Sequence, residues 1–239
     1  MLHLPQLSIS RDELQEVKLY QDIRAWLEKS DENRPSGIHA SDLLDLRLAF
    51  WQRIRPQELS ERQVWFYTIG KILHNLVLIL DETKTDAGTS EEMGILYSPD
   101  KRMEGRPVEL KTHRGNSEPS PDTIQKEFSH YFEQLAIYCV LSNCLIGYLW
   151  ILFINMKDRT NRTAPEIRCY RVVLTEEQFY AVESEVLHAR DRLAEALATT
   201  DHRPLPLCRA WRCGTACAWW HDCQPELRYP LIDRRSWKG

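Results

Sequence analysis

Asp100, Glu109 and Lys111 have the types and spacing of a site that grips a cation and stabilises an anion. The segment GRPVELKTHR, residues 105–114, alternates apolar and polar side chains, the pattern of a half-buried strand. Alternate residues of a strand share a face, so Glu109 and Lys111 point one way, and Val108 and Leu110 the other. The preceding MGILYSPD, residues 93–100, reads as a second short strand, with the turn at KRMEGR. A turn centred between Glu104 and Gly105 sets Asp100 directly opposite Glu109. Two facing carboxylates repel each other unless a cation lies between them. Mg²⁺ or Mn²⁺, which take hard oxygen ligands, resolves that repulsion best. The same residues are open to a plainer reading, a solvated cluster of ion pairs contributing about 0–1 kcal/mol each.

The hairpin needs partners to become a site, and the flanking segments supply candidates. GKILH places Gly70 and His74 four residues apart, and QLAIY does the same for Gln134 and Tyr138, so each pair shares one face of a helix. Residues 11–30 carry apolar side chains at helical spacing, and NRPSG at 33–37 is a break. Ser41 is placed to cap a helix through SDLLDLRLAFWQRIR, whose basic residues are Arg47, Arg53 and Arg55. Residues 60–80 read as a largely buried helix and 81–92 as a polar loop. A long helix is predicted over 121–142, then strands over 145–155 and 166–174 joined by the polar KDRTNRTAP. Thr175 to Gln178 spells a capping box for a helix running to about Thr199, and HRPLPL at 202–207 ends it. This order predicts an α/β layered domain, a small mixed sheet with helices on its faces.

A chain of 239 residues that is 43% hydrophobic and 28% charged can bury one sizeable core with a small appended module. Its net charge of -4 argues against a uniformly basic surface and leaves room for a local basic patch. The N-terminal MLHLPQLSISRDELQ lacks the pattern of an export signal, which predicts a cytoplasmic protein. The apolar run at 64–80 is short and carries Lys71, His74 and Asn75. The run at 135–155 is broken by Ser142 and Asn143 into a helix and a strand, so no membrane span is expected.

Seven cysteines divide into two groups. Cys139, Cys144 and Cys169 lie in apolar segments and are expected as core thiols. Cys208, Cys213, Cys217 and Cys223 crowd into the tail, which with no export signal reads as a metal site. Their spacing departs from the paired knuckles of structural zinc. Four thiolates can hold a [4Fe–4S] cluster, shielded by Trp211, Trp219 and Trp220. Three thiolates with an open position, or Zn²⁺ with His221 assisting, are the alternatives.

S-P-D at 98–100, E-L-K at 109–111, G-x-x-x-H at 70–74 and Q-x-x-x-Y at 134–138, in that spatial context, resemble the PD-(D/E)XK nuclease superfamily, and among it the RecB-like enzymes. The tail resembles the cysteine clasp of the iron–sulfur members, which include the CRISPR-associated exonucleases of the Cas-four family. The resemblance spans roughly residues 38–225 and departs at one point. Leu46, in SDLLDLRLAFW, stands where those families carry their first cysteine, and Cys208 is the candidate substitute. It implies a restriction-endonuclease-like core at 38–201, preceded by a helical segment at 1–37 and followed by an iron–sulfur tail at 202–239. The implied activity is hydrolysis of DNA by a Mg²⁺- or Mn²⁺-dependent exonuclease acting on single-stranded ends, in CRISPR adaptation or in DNA repair and recombination. An integrase or helicase is the implied protein partner. Asp100, Glu109, the Leu110 carbonyl and His74 would hold the metal, and Lys111 would assist the attacking water. Gln134 and Tyr138 would position Lys111 or the strand. Arg47, Arg53, Arg55, Lys101, Arg102, Arg106 and Arg114 are candidate phosphate contacts. Glu92 is a second candidate for the first carboxylate. The alternatives from other classes are a non-catalytic DNA-binding or assembly module of the same fold and a zinc-stabilised DNA-processing domain.

Overall fold

The computed structural model describes residues 35–58, 63–65, 67–72, 90–115, 119–120, 123–157, 163–209 and 217–223, with single positions at 21, 25 and 117. The chain divides into two compact units, residues 1–36 with 59–82, and residues 37–58 with 83–239. In the first unit, residues 63–65 and 67–72 are helical. His74 and the remainder of that predicted helix lie outside the described residues, as does most of the predicted helix at 11–30.

The second unit is a mixed α/β domain with two small sheets flanked by helices. Its elements are β1 (Ile38–His39), α1 (Leu46–Ile54), β2 (Ser90–Glu92), β3 (Ile95–Tyr97), β4 (Lys101–Met103), β5 (Arg106–His113), α2 (Ile124–Glu127), α3 (Ser129–Leu141), β6 (Ile146–Lys157), β7 (Thr163–Val173), α4 (Glu176–Thr199) and α5 (Trp220–Cys223). The four-stranded sheet runs β4-β5-β6-β7 and the three-stranded one β1-β3-β2. Within the larger sheet β5 and β6 are parallel, and the other two pairings are antiparallel.

The hairpin register is the one the turn dictates. Lys101 opposes Val108, and Met103 opposes Arg106. Glu104 and Gly105 have φ of 52° and 79°, the pair of positive values that a tight hairpin with right-handed strand twist requires. The run predicted as one strand over 93–100 is split. Ile95–Tyr97 belongs to the small sheet and Lys101–Met103 to the large one. Between them, Pro99 has no N–H to give a ladder, so the chain changes sheets there. Ser90–Glu92, predicted as loop, pairs with β3 as an edge strand. Ser41 does not cap one continuous helix. Ala40–Leu44 is a 3₁₀ turn in which Asp42 accepts the His39 N–H at 2.6 Å, and α1 follows after Asp45.

Helix α3 is apolar nearly all round and is buried on both sides, as such a helix must be. Leu135 and Cys139 pack under the large sheet with Leu149, Ile151 and Phe153. Ile137, Tyr138 and Leu141 pack with Ile95, Tyr97 and Val186 of β3 and α4. The predicted break at Ser142 and Asn143 is the turn from α3 into β6, with Asn143 at φ 49°. Among the described residues no helix is long and apolar enough to cross a membrane. The capping box of α4 forms as its sequence dictates, with Thr175 Oγ1 accepting the Gln178 N–H at 3.1 Å and Gln178 Oε1 accepting the Thr175 N–H at 2.9 Å.

A third cluster joins α1 to α4 and to the start of the tail through Leu46, Ala49, Phe50, Leu193, Ala196 and Leu205. Polar contacts reinforce it. Arg47 donates to the Leu205 carbonyl at 2.6 Å, and Trp219 Nε1 donates to the Arg55 carbonyl at 2.9 Å. Arg55 pairs with Asp222 at 2.7 Å. These contacts fasten the described part of the tail to α1.

Candidate metal and hydrolytic site

Strand β5 places Glu109 and Lys111 on one face, in register with Leu149 and Ile151 of β6. That face of the sheet is the one α3 packs against. Glu109 is consequently not at the surface but 1% exposed, which removes the reading of a solvated ion-pair cluster. Its two neighbours, Val108 and Leu110, are buried on the opposite face. The strand is covered on both sides.

Asp100 lies at the break before β4 and reaches across to β5. Its Oδ2 accepts the backbone N–H of Leu110 at 2.7 Å, which fixes the carboxylate beside Glu109. Lys111 forms an ion pair with Glu109 Oε1. The second oxygen of Glu109, Oε2, is buried and has no hydrogen-bond partner among the described residues. A buried carboxylate oxygen left without a partner is costly, and such sites in native structures call for a ligand, an ion or a water. Burial raises the Glu109 pKa to about 8, the Asp100 charge adds to the rise, and Lys111 opposes it. Burial works to lower Lys111, but the Glu109 and Asp100 carboxylates outweigh it and the net shift is upward. The ammonium therefore stays charged. Two carboxylates that repel, one of them with an unused buried oxygen, fit a divalent cation.

The other expected residues distribute as follows. Glu92 is exposed on β2 in the small sheet, so Asp100 is the carboxylate beside Glu109. Gln134 Nε2 donates to the Tyr138 hydroxyl at 3.0 Å across one turn of α3. Tyr138 is buried with its ring 6.4 Å from that of Tyr97. His74 lies outside the described residues. Among the described residues no three His, Cys, Asp or Glu side chains gather to hold a metal ion. Two carboxylates and backbone carbonyls are what the described part of the site offers.

The structure brings in one residue that sequence reasoning missed. The Lys111 ammonium lies over the Tyr131 ring of α3, 5.9 Å from its centroid. Tyr131 precedes Gln134 by three residues and Tyr138 by seven, so helical spacing alone puts it on their face.

Two basic residues expected at a phosphate backbone are buried instead. Arg47 is 4% exposed and spends its guanidinium on the carbonyls of Leu205 and Arg203. Lys101 is likewise 4% exposed, with its ammonium 5.8 Å from the Trp150 ring centroid. Arg53 is tied to Asp42 and to the Gly37 carbonyl. Arg102 reaches Ser142 Oγ at 3.2 Å, and Arg106 reaches Glu104 at 3.1 Å and the Tyr148 hydroxyl at 3.2 Å. Arg55 and Arg114 remain exposed.

In the tail, Cys208, Cys217 and Cys223 are half-buried, and Cys213 lies outside the described residues. Burial raises the Cys223 pKa, opposed by Trp51 and Arg47, with Cys217 close enough to add to the rise. The three described thiols do not by themselves assemble a metal site. Of the expected core thiols, Cys139 is buried, whereas Cys144 is half-buried and Cys169 exposed. Cys169 opposes Trp150 on β7, where alternation turns it away from the α3 side of the sheet.

No family model matches the chain, and no curated protein matches its sequence. Solved structures do match it in fold. The protein described as SSO0001 superposes with a TM-score of 0.56 at 20% identity, covering 90% of this chain and 98% of that one. A phage-related exonuclease from Haemophilus somnus 129PT superposes with a TM-score of 0.50 at 11% identity, covering 72% of this chain and all of the other (100%). At such identities the likeness is one of fold. The chain thus has the mixed α/β fold of a phage-related exonuclease, with the Asp100–Glu109–Lys111 face of β5 turned towards α3.

Proposed function

We propose that this chain is a metal-dependent deoxyribonuclease, an exonuclease acting on single-stranded DNA ends. The carrying observation is the buried Glu109, its Oε2 unpartnered, beside Asp100 and paired with Lys111. The fold shared with a phage-related exonuclease supports the same reading. Asp100, Glu109 and the Leu110 carbonyl would hold Mg²⁺ or Mn²⁺, with His74 as a further ligand that favours Mn²⁺. A divalent ion bound there lowers the pKa of its water and neutralises charge on the phosphate.

This chain's own residues supply the rest. The Leu110 N–H holds Asp100 in place. Lys111 keeps a fixed positive charge next to the carboxylates, where it orients the attacking water and stabilises the negative charge that develops on the phosphate oxygens. Gln134 and Tyr138, bonded to each other, buttress the helix face across from the strand. Arg55 and Arg114 are the exposed phosphate contacts in this reading, which makes affinity fall with salt.

The density of thiols in the tail supports a [4Fe–4S] cluster, with Zn²⁺ as the alternative, and no step of hydrolysis depends on it. Iron analysis of anaerobically purified protein separates the two. CRISPR adaptation, or DNA repair and recombination, with an integrase or helicase as partner, is the setting this reading proposes.

End-labelled single strands with Mn²⁺ test the reading. The wild type is expected to degrade them, and Lys111→Ala to be slower by on the order of 100-fold or more, the scale of losing one charge-stabilising donor. Equal degradation by both, or none by either, overturns it. A second reading, a non-catalytic DNA-binding or assembly module, is favoured by one observation. Among the described residues only two carboxylates, and no third metal-binding side chain, meet at the site.

A further inference from the structure

We propose that Tyr131 is a positioning residue, its ring forming the surface against which the Lys111 ammonium is held for the reaction. The inference rests on the proposed hydrolytic role of Lys111. A lysine ends in a compact charge on a flexible four-carbon stem, and nothing in that stem fixes where the charge sits. Two groups fix it here. Glu109 pairs with it from two residues along the same strand, and the Tyr131 face lies 5.9 Å from Nζ on the facing helix. A cation over an aromatic face at this range is attracted by the ring's electron density.

The ring is itself immobilised. Tyr131 stacks on Phe128, with centroids 5.5 Å apart and planes at 26°. Phe128 is buried and meets His113 at 4.9 Å and Phe153 at 6.1 Å. His113 in turn meets Phe153 at 5.4 Å. His113 shares the face of β5 that carries Glu109 and Lys111, so the aromatic stack links strand, helix and ammonium. A second hold becomes important whenever Glu109 is engaged by a cation, because its pull on Lys111 is then shared.

The role belongs to the ring face and not to the hydroxyl, which sets the test. Tyr131→Phe and Tyr131→Leu are compared with wild type and Lys111→Ala for hydrolysis of single strands, with kcat and KM separated. The ε-methylene protons of Lys111, assigned through Lys111→Arg, report the ring directly by their upfield ring-current shift in metal-free protein. Tyr131→Leu is expected to lose that shift and to lower kcat about fivefold with KM within about twofold, while Tyr131→Phe retains both, the scale of a cation–π contact of about 1 kcal/mol. A Lys111 signal unchanged by Tyr131→Leu overturns the positioning role, whatever the activities are. A kcat unchanged by Tyr131→Leu while Lys111→Ala is inactive overturns it too and leaves the nuclease reading standing. Activity that Lys111→Ala retains in full sinks the nuclease reading instead.

Discussion

Leu110 donates its backbone N–H to Asp100 Oδ2 at 2.7 Å, so a residue at a strand break is fastened to the strand whose neighbouring side chain, Glu109, it repels. Once Glu109 ionises, the chain holds two like charges together through a hydrogen bond from the backbone to Asp100. An arrangement of this kind is unstable by itself and gains from a cation.

Relieving the repulsion should therefore stabilise the metal-free protein. Asp100→Asn keeps an acceptor for the Leu110 N–H and removes one charge. Above about pH 8, where Glu109 is ionised, its metal-free unfolding free energy should rise by on the order of 1 kcal/mol, the worth of about one pKa unit on the partner. Denaturant titration checks this, and a variant less stable than wild type would count against a repulsive pair.

The pH dependence follows from Glu109. Its folded pKa, about 8, lies above the ordinary carboxylate value of 4.5, so the folded state holds a proton that the unfolded chain has already released. That contribution to stability is complete below about pH 4.5, declines as pH rises, and is gone above about pH 8. Melting temperatures of metal-free protein should fall between pH 5 and pH 8 and level off beyond, and Glu109→Gln should flatten the fall. Parallel curves for the two proteins would exclude Glu109 as its source.

Arg47 separates structure from recognition. Removing its guanidinium in Arg47→Ala strands the buried Leu205 carbonyl and should cost about 1–3 kcal/mol of stability. The salt slope of DNA binding should stay as in the wild type, since a buried side chain meets no phosphate. Arg114→Ala, at an exposed position, should reduce the slope by about 1. Denaturant melts and binding at graded salt distinguish the pair.

The turn that sets the register is testable on its own. Gly105 sits at φ 79° with open space where a Cβ would go, so Gly105→Ala introduces backbone strain and no clash. The expected loss is about 1–2 kcal/mol. A variant as stable as wild type would show that the hairpin register does not depend on this turn.

Much of this site could be read from sequence because it lies in a two-residue hairpin. Glu104-Gly105 fixes the register, the register fixes which residues face each other, and period-2 alternation does the remainder. What escaped is what depends on tertiary packing. Charge and a basic neighbourhood marked Arg47 as a surface contact, yet α1 turns it inward to the tail carbonyls. Alternation left a solvated face under Glu109 open as an alternative, whereas α3 covers it. Tyr131 meets Lys111 only once the strand and helix are placed together. Ser90–Glu92 has no apolar pattern and becomes a strand only by pairing with β3.

Calorimetric titration of Mn²⁺ into metal-free protein tests the central claim most directly, that the Asp100–Glu109 pair is a cation site. Wild type and Lys111→Ala should each take up the ion saturably, because Lys111 is no ligand, while Glu109→Gln should bind on the order of 100-fold more weakly or not at all. Absence of uptake by the wild type, or equal uptake by Glu109→Gln, would contradict the account.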